Sequence, residues 1–239
     1  MDREICPLIL LFYALILGLY YTNSYKSVFL CFWMIVVDVE TTGLDAKKNA
    51  ICSIGAFYLF RPEHAKFFIA EKQFYAELRV PNDAEITDRA LEINGFDRNE
   101  LRSPSRTNPE KGIREFIAFA EPCHDRTIAG ENPRFDLDFL RATAQKYNVD
   151  FHSGYRTRDL HTTCSDTHDR LDITIPLKDG RTDIDLDYTL RFIGLPPEPK
   201  PHNGLTGAKL EAEAISRLIF GKNLFPEYQH YKVPEYLQV

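Results

Sequence analysis

The sequence predicts an α/β domain built on one mixed sheet with helices on its faces. Three strand-like segments come first along the chain, and helices and strands alternate after them, an order typical of such a sheet. Apolar residues make up 44% of the 239 residues and charged residues 27%, which are ordinary values for a globular protein. This composition excludes a disordered chain, a fibrous repeat and a polytopic membrane protein.

The strands are predicted from short apolar runs. Residues 35–39 are apolar and rich in β-branched side chains, which indicates a buried strand. Residues 52–60 and 73–80 are two further strands separated by a charged stretch, and the three together predict an antiparallel meander. Residues 127–129 are a fourth, shorter strand that leads into a helix.

Five helices are predicted from apolar spacing and capping residues. The first ends at Gly95, and the second opens at Asn108 and Pro109, with Asn as N-cap and Pro at the first helical position. The others are expected at residues 135–147, 186–193 and 204–220, the last two closed by Gly194 and Gly221.

The charge balance limits how the protein meets a partner. Lys and Arg number 29 against 35 Asp and Glu, a net charge of −6. A protein that coats nucleic acid through bulk positive charge is therefore disfavoured, whereas an enzyme that holds nucleic acid through metal ions in an acidic cleft is permitted. The five cysteines are odd in number and lack CxxC spacing, which favours a reducing, cytoplasmic location over a disulfide scaffold.

The first 33 residues differ from the rest of the chain. Residues 5–21 contain no charged side chain. This stretch is short for a membrane span, and it matches a signal peptide poorly. A membrane anchor, a degenerate signal peptide and upstream sequence outside the working protein, with Met34 as the start, all stay open. We expect the working domain at residues 34–222 and a tail at 223–239 that either docks a partner or packs on the domain.

Two acidic side chains follow the first strand. On a strand, residues two apart point to the same face, so Asp38 and Glu40 project side by side from its end. Adjacent carboxylates repel each other unless a cation lies between them, and hard oxygen ligands suit Mg²⁺ or Mn²⁺. Two solvated acids at a strand end are the plainer interpretation of this pair alone.

Two later segments carry further candidate side chains. Asp136 opens a helix after a strand, where a carboxylate is favoured by the helix dipole in any case. His202 lies just before the last helix, where a histidine is more often a capping or surface residue than a catalyst. The order and spacing of all three segments carry more weight than any one of them.

Together these segments resemble the DEDDh 3′–5′ exonucleases, which include the proofreading epsilon subunit of bacterial DNA polymerase III and the oligoribonucleases. The resemblance is carried by Asp-Val-Glu-Thr-Thr-Gly-Leu at residues 38–44, Asn-Pro-Arg-Phe-Asp at 132–136 and His202 before the last helix. It implies a ribonuclease H-like fold, with a five-stranded mixed sheet whose first three strands are antiparallel.

The resemblance also implies a mechanism. Asp38, Glu40 and Asp136 would hold two divalent ions, Mg²⁺ or Mn²⁺, and His202 would be the general base. Thr41, Gly43, Leu44 and Asn132 would meet the 3′ end of single-stranded DNA or RNA, and the product would be a nucleoside monophosphate. A DNA polymerase is a further partner that the resemblance suggests, and a membrane would be one only if residues 5–21 are an anchor.

One position departs from the family pattern. The family places a fourth metal-binding Asp five residues after the histidine, where this chain has Gly207. Glu211 lies one helical turn further on the same face, at the limit of what its side chain can span. A weakened nuclease is therefore expected, with a catalytically impaired module that binds nucleic acid or a polymerase as the alternative.

A second polar cluster contains side chains of the kind that bind zinc. His161, Cys164 and His168 supply three zinc-type ligands but no fourth nearby, so a connecting loop is expected there rather than a zinc site.

Overall fold

The computed structural model of the protein describes residues 32–123 and 125–238. The apolar segment at residues 5–21, and the hypotheses about it, lie outside those residues. Among the helices described, none combines the length and apolar character that a membrane crossing requires.

The five-stranded mixed sheet is confirmed. Its strands are β1 (Phe32–Thr41), β2 (Ile51–Arg61), β3 (Ile69–Glu77), β4 (Ile128–Gly130) and β5 (Thr157–Asp159), in the spatial order β3-β2-β1-β4-β5. Strand β2 pairs antiparallel with both β1 and β3, and β4 runs parallel to both β1 and β5. A separate hairpin pairs β6 (Leu177–Lys178) with β7 (Arg181–Thr182).

Five of the six helices named below form where apolar spacing and capping residues predict them; α4 is the exception. They are α1 (Asp88–Asn94), α2 (Pro109–Ala120), α3 (Pro133–Lys146), α4 (Leu160–Arg170), α5 (Leu186–Phe192) and α6 (Gly204–Phe220). Asn108 caps α2 by accepting hydrogen bonds from the amides of its first turn, and Asn203 does the same for α6. Gly95 and Gly221 end α1 and α6 in the left-handed conformation that glycine adopts without penalty.

Two predictions about individual elements are wrong. The third strand spans Ile69–Glu77 rather than residues 73–80. Leu78 and Val80 continue the apolar alternation because they are buried, although they lie beyond the regular strand. Residues 160–170 form helix α4 rather than a loop. Its buried stripe consists of Leu160, Cys164, Thr167 and His168, a set too polar to show helical periodicity in the sequence.

Apolar layers cover both faces of the sheet. Helices α2 and α3 pack on one face, against alternate residues of β1 that include Ile35 and Val37. Helices α4, α5 and α6 pack on the other, against Met34 and Val36. Asp38 continues the second series, so the alternation of β1 aims it at the α6 layer.

The C-terminal tail packs on the domain. Phe225 and Leu237 are buried in the α6 layer. Arg217 and Glu213, both fully buried on α6, form an ion pair of 2.8 Å. Arg217 also donates to the carbonyls of Tyr228 and Tyr231, while Glu213 accepts from two backbone amides at residues 224 and 225. Every charge of this pair is therefore matched inside the protein.

The N-terminal end of β1 lies in an aromatic cluster. The strand starts at Phe32, two residues before the domain boundary expected at residue 34. The Trp33 ring lies 5.0 Å from that of Tyr58 and 4.3 Å from that of Phe60. Strand pairing therefore extends over the residues just before Met34.

Breaking the buried ion pair should destabilise the fold strongly. Arg217→Ala leaves the Glu213 carboxylate uncompensated, and we expect the free energy of unfolding to fall by about 3–5 kcal/mol. Arg134→Ala, which removes an exposed i,i+4 pair with Asp138, should cost only about 0–1 kcal/mol. Urea unfolding followed by circular dichroism measures both, and equal losses in the two variants would contradict the assignment.

Candidate active site

The candidate site lies where β1 and β4 end side by side. Because the two strands are parallel, Asp38 and Glu40 near the end of β1 meet the start of α3, which follows β4. Asp136, in the first turn of α3, accepts a hydrogen bond of 2.9 Å from the backbone amide of Val39. The predicted carboxylates of two distant segments are thus joined at one edge of the sheet.

The loop after β1 is fixed on several sides. Thr41 donates through its hydroxyl to the carbonyl of Gly43, at 2.7 Å. Thr42 is fully buried and donates to the carbonyl of Glu85, at 2.6 Å. Leu44, two residues further on, is 87% exposed. A large apolar side chain is therefore presented to solvent from a rigid loop beside the carboxylates.

Helix α1 ties this loop to the segment that carries His202. The buried Asn94 donates from its side-chain amide to the carbonyl of Thr41, at 3.1 Å. The backbone amide of His202 donates to the carbonyl of Ile93, also at 3.1 Å. Two consecutive residues of α1 thus hold the first and third motifs, which lie 160 residues apart in sequence.

The remaining predicted contacts lie around the opening. Asn132 is exposed and adopts φ 47° and ψ 50°, a left-handed conformation that asparagine tolerates better than most residues. His202 is half-buried, and its Nδ1 lies 3.4 Å from Oε2 of Glu198. The structure thus brings His202 to Glu198, whose other oxygen faces the side of Asp38, and keeps Asn132 accessible at the start of α3.

The sequence did not point to two residues near the site, Glu198 and Tyr75, and it placed a third, Glu211, only at the limit of reach. Glu198 lies in the proline-rich link before α6, which has no pattern that points to a site. Glu211 is buried on α6 and accepts a hydrogen bond of 3.1 Å from the backbone amide of Glu131. Tyr75 of β3 lies in register with Gly55, which in turn lies opposite Asp38, and its hydroxyl accepts from Asn203 at 2.9 Å. Strand register, which the sequence does not reveal, was the missing signal for Tyr75.

Gly207 faces the carboxylates directly. A β-carbon at this position would collide with Oδ2 of Asp38 and would lie 3.2 Å from Oε1 of Glu198. The departure from the family pattern is therefore at the site itself, and the space that a side chain at 207 would take is already held by two other acids.

Comparison with known proteins decides the family. The sequence model described as Exonuclease matches residues 35–173, more than half of the chain. The chain belongs to the exonuclease family. That match includes Asp38, Glu40 and Asp136 and ends before His202 and Gly207.

Curated relatives of this family member are named ribonuclease T. The protein of that name from Haemophilus influenzae (strain PittGG) is 28% identical over 134 residues, which cover 54% of this chain and 58% of the relative. That from Shewanella frigidimarina is 26% identical over 137 residues, covering 52% and 58%. The chain thus spans a little more than half the length of the curated relatives it matches.

Solved structures of similar fold include Escherichia coli exonuclease I. Its complex with a 5cy-dT13 oligonucleotide aligns with a TM-score of 0.61 at 16% identity, covering 77% of this chain and 40% of the other. An apo exonuclease I structure gives 0.62, also at 16% identity, over 80% and 42%. At this identity the likeness shows a shared fold.

Burial and mutual repulsion raise the pKa values of the acids in the candidate site. Burial raises the pKa of Asp38 to about 7, and burial together with the charges of Asp38 and Glu198 raises that of Glu40 to about 8. The pKa values of Asp136 and Glu211 lie well above their usual range, from burial first and from Asp38 second. Each carboxylate is therefore costly to ionise in the protein alone.

His202 is shifted in the opposite direction. Burial lowers its pKa below the usual 6.5, and the nearby charge of Lys200 lowers it further. The imidazole is therefore neutral at pH 7 and able to accept a proton.

The donor chemistry of the site fits a hard divalent cation. Carboxylate oxygens are the ligands that Mg²⁺ and Mn²⁺ prefer, and the charges of such ions offset the repulsion described above. Oε1 of Glu198 and Oε2 of Glu211 are buried with no hydrogen-bond partner among the described residues. Within residues 32–123 and 125–238, no three His, Cys, Asp or Glu side chains already stand in an arrangement able to hold a metal.

The raised pKa values predict how stability without metal depends on pH. A carboxyl whose pKa is higher in the folded than in the unfolded state stabilises the fold at low pH, and this contribution is lost as pH rises through about 8 for Glu40. In EDTA, Glu40→Gln should raise Tm at pH 8.5 by about 4–8 °C, equivalent to roughly 2 kcal/mol, and leave Tm at pH 4 nearly unchanged.

Glu121→Gln, at an exposed position after α2, is the matched control and should change Tm at neither pH. Thermal unfolding followed by circular dichroism measures the difference. An equal rise in Glu40→Gln at both pH values would show that packing, and not charge, is responsible.

Proposed function

We propose that the chain is a metal-dependent 3′–5′ exonuclease that shortens single-stranded DNA or RNA and releases nucleoside monophosphates. The observation that carries the proposal is the gathering of Asp38, Glu40 and Asp136 at one edge of the sheet, with a neutral His202 linked to this group through Glu198. Family membership supports the reaction class. The names of the ribonuclease T relatives, and the oligonucleotide bound to exonuclease I, support a single-stranded substrate.

Asp38, Glu40 and Asp136 are the residues that would hold the metal ions. Two divalent ions in such a site acidify a water and stabilise charge on the leaving oxygen of the phosphodiester. The net charge of −6 agrees with this arrangement, because cations and not basic side chains would mediate the contact with phosphate.

His202 acts on the attacking water. It takes the proton as the water oxygen bonds to phosphorus and the bond from phosphorus to the leaving 3′-oxygen breaks. Its position at the opening, half-buried, leaves room for water on one side while the backbone bond to Ile93 fixes the segment on the other.

Leu44 and its loop bind the terminal nucleotide. Leu44 offers an apolar surface for a base or sugar, and the backbone of Thr41–Gly43 offers polar groups close to the carboxylates. Asn132, exposed at the start of α3, supplies a further polar contact.

A binding module that has lost catalysis is the second candidate, and Gly207 is the observation that favours it. We favour hydrolysis because buried acids are unfavourable for folding and repel phosphate. Such acids are poorly suited to a module whose only role is to bind nucleic acid. A polymerase partner and a cytoplasmic location stay predictions of the sequence.

Removal of one carboxylate should abolish hydrolysis. With the full chain, a 5′-labelled single strand of DNA or RNA and Mg²⁺ or Mn²⁺, we expect a ladder that recedes from the 3′ end and disappears in EDTA. Asp136→Asn should lower the rate at least about 100-fold, the scale for one group that stabilises a transition state.

Asp138→Asn, two residues on in the same helix and half-exposed, is the matched control and should retain the rate. If the wild-type chain binds the strand in a gel-shift assay but cleaves neither substrate with either metal, the protein is a binding module and the proposed hydrolysis is wrong.

Replacement of the exposed leucine should weaken substrate binding without affecting the fold. Burying Leu44 against a nucleotide contributes roughly 1–2 kcal/mol, so Leu44→Ala should raise KM about 5- to 30-fold with a smaller effect on kcat. Leu177→Ala, which changes a 70% exposed leucine in the β6–β7 hairpin, should leave KM unchanged. Steady-state rates on a single strand measure both, and equal KM values for Leu44→Ala and wild type would refute the contact.

A further inference from the structure

The space beside Gly207 is occupied by acids from other parts of the chain. Gly207 lies in the second turn of α6, and its Cα faces Asp38 so closely that a β-carbon would also lie 2.9 Å from Cγ of Asp38. The same point lies 3.2 Å from Oε1 of Glu198. A glutamate carboxylate has thus entered the space where the side chain of residue 207 would project.

Glu198 is held in this place by its own segment. It lies in the link between α5 and α6, and its backbone amide donates to Oδ1 of Asp187, at 3.0 Å. The side chain is only 7% exposed, although the prolines and the lysine around it are solvent-accessible. The link therefore turns this one side chain inward, toward the carboxylates.

The two oxygens of Glu198 have different surroundings. Oε2 lies 3.4 Å from Nδ1 of His202. Oε1 is buried on the side of Asp38 and finds no hydrogen-bond partner in the part of the chain that the structure describes. A buried acid that served only to hold the fold together would be expected to have its oxygens satisfied, because an unmatched charge is costly.

Glu211, the replacement that the sequence suggests, is placed differently. One of its oxygens is taken by the amide of Glu131. The other also lacks a hydrogen-bond partner among the described residues, but it lies against Gly130, where a β-carbon would be 2.8 Å away, and not in front of Gly207. Glu211 thus packs under the end of β4, whereas Glu198 reaches the position in front of Gly207.

We propose that Glu198 supplies the fourth carboxylate of the metal site, from the link before α6, in place of the side chain that Gly207 lacks. The inference rests on the proposed metal-dependent function. It assigns the ligand set Asp38, Glu40, Asp136 and Glu198, and it makes Gly207 a requirement of the site, because a side chain there would displace both Asp38 and Glu198.

Mn²⁺ binding tests the proposal without reference to activity. Titration of the full chain with Mn²⁺, with free ion followed by electron paramagnetic resonance, should show binding by the wild type. We expect Glu198→Gln to weaken Mn²⁺ binding at least tenfold and to lose most of the Mn²⁺-induced rise in Tm. Glu198→Asp, which keeps the charge on a shorter side chain, should lie between the two, and this variant also provides a test if Glu198→Gln does not fold.

Two further variants complete the design. Glu121→Gln, exposed after α2, should bind Mn²⁺ as the wild type does, and Glu211→Gln should change the affinity less than threefold. Wild-type affinity in both Glu198 variants, or a loss confined to Glu211→Gln, would overturn the assignment of Glu198 and leave the proposed function standing. No Mn²⁺ binding by the wild type would overturn both.

Discussion

The candidate site depends on one close approach of two backbones. Gly55 of β2 and Gly204 at the start of α6 lie in contact, and a β-carbon at Gly55 would collide with the carbonyl of Gly204. A β-carbon at Gly204 would in turn lie 2.8 Å from the carbonyl oxygen of Asp38. Only residues without side chains allow a helix to approach a sheet this closely. The approach places the first turns of α6 over the end of β1. It therefore determines that Gly207 faces Asp38 in the candidate site.

The acids concentrated there destabilise the folded state, and interactions in the rest of the domain offset this cost. Several buried carboxylates repel one another, and their raised pKa values record the cost of ionising them in the protein. Two apolar layers and the C-terminal tail stabilise the surrounding structure. The tail is bound to α6 through Arg217 and Glu213, where opposite charges are matched rather than repelled. Buried charge thus occurs in two settings around one helix: a matched ion pair on α6 itself, and unmatched acids from other segments that face its first turns.

Local signals predicted much of the fold, and the failures have a physical cause. Helix α6 has the predicted bounds, because Asn203, Gly204 and Gly221 fix its ends through local capping. Helix α4 was missed because its buried stripe contains Cys164, Thr167 and His168, which satisfy their polar groups inside the protein in ways that composition does not reveal. The motif acids and the histidine could be predicted because their spacing is characteristic of a family. Glu198 could not, since its position depends on how an irregular link folds back.

The aromatic cluster at the start of β1 has a spectroscopic consequence. Trp33 is the one tryptophan in the sequence, and its ring is stacked on that of Tyr58 and lies against that of Phe60. Seven residues of extended chain separate it from Glu40, a distance of roughly 23 Å. Its emission therefore reports the integrity of the central sheet at a point far from the carboxylates. Fluorescence thus provides a probe of unfolding that lies outside the candidate site itself.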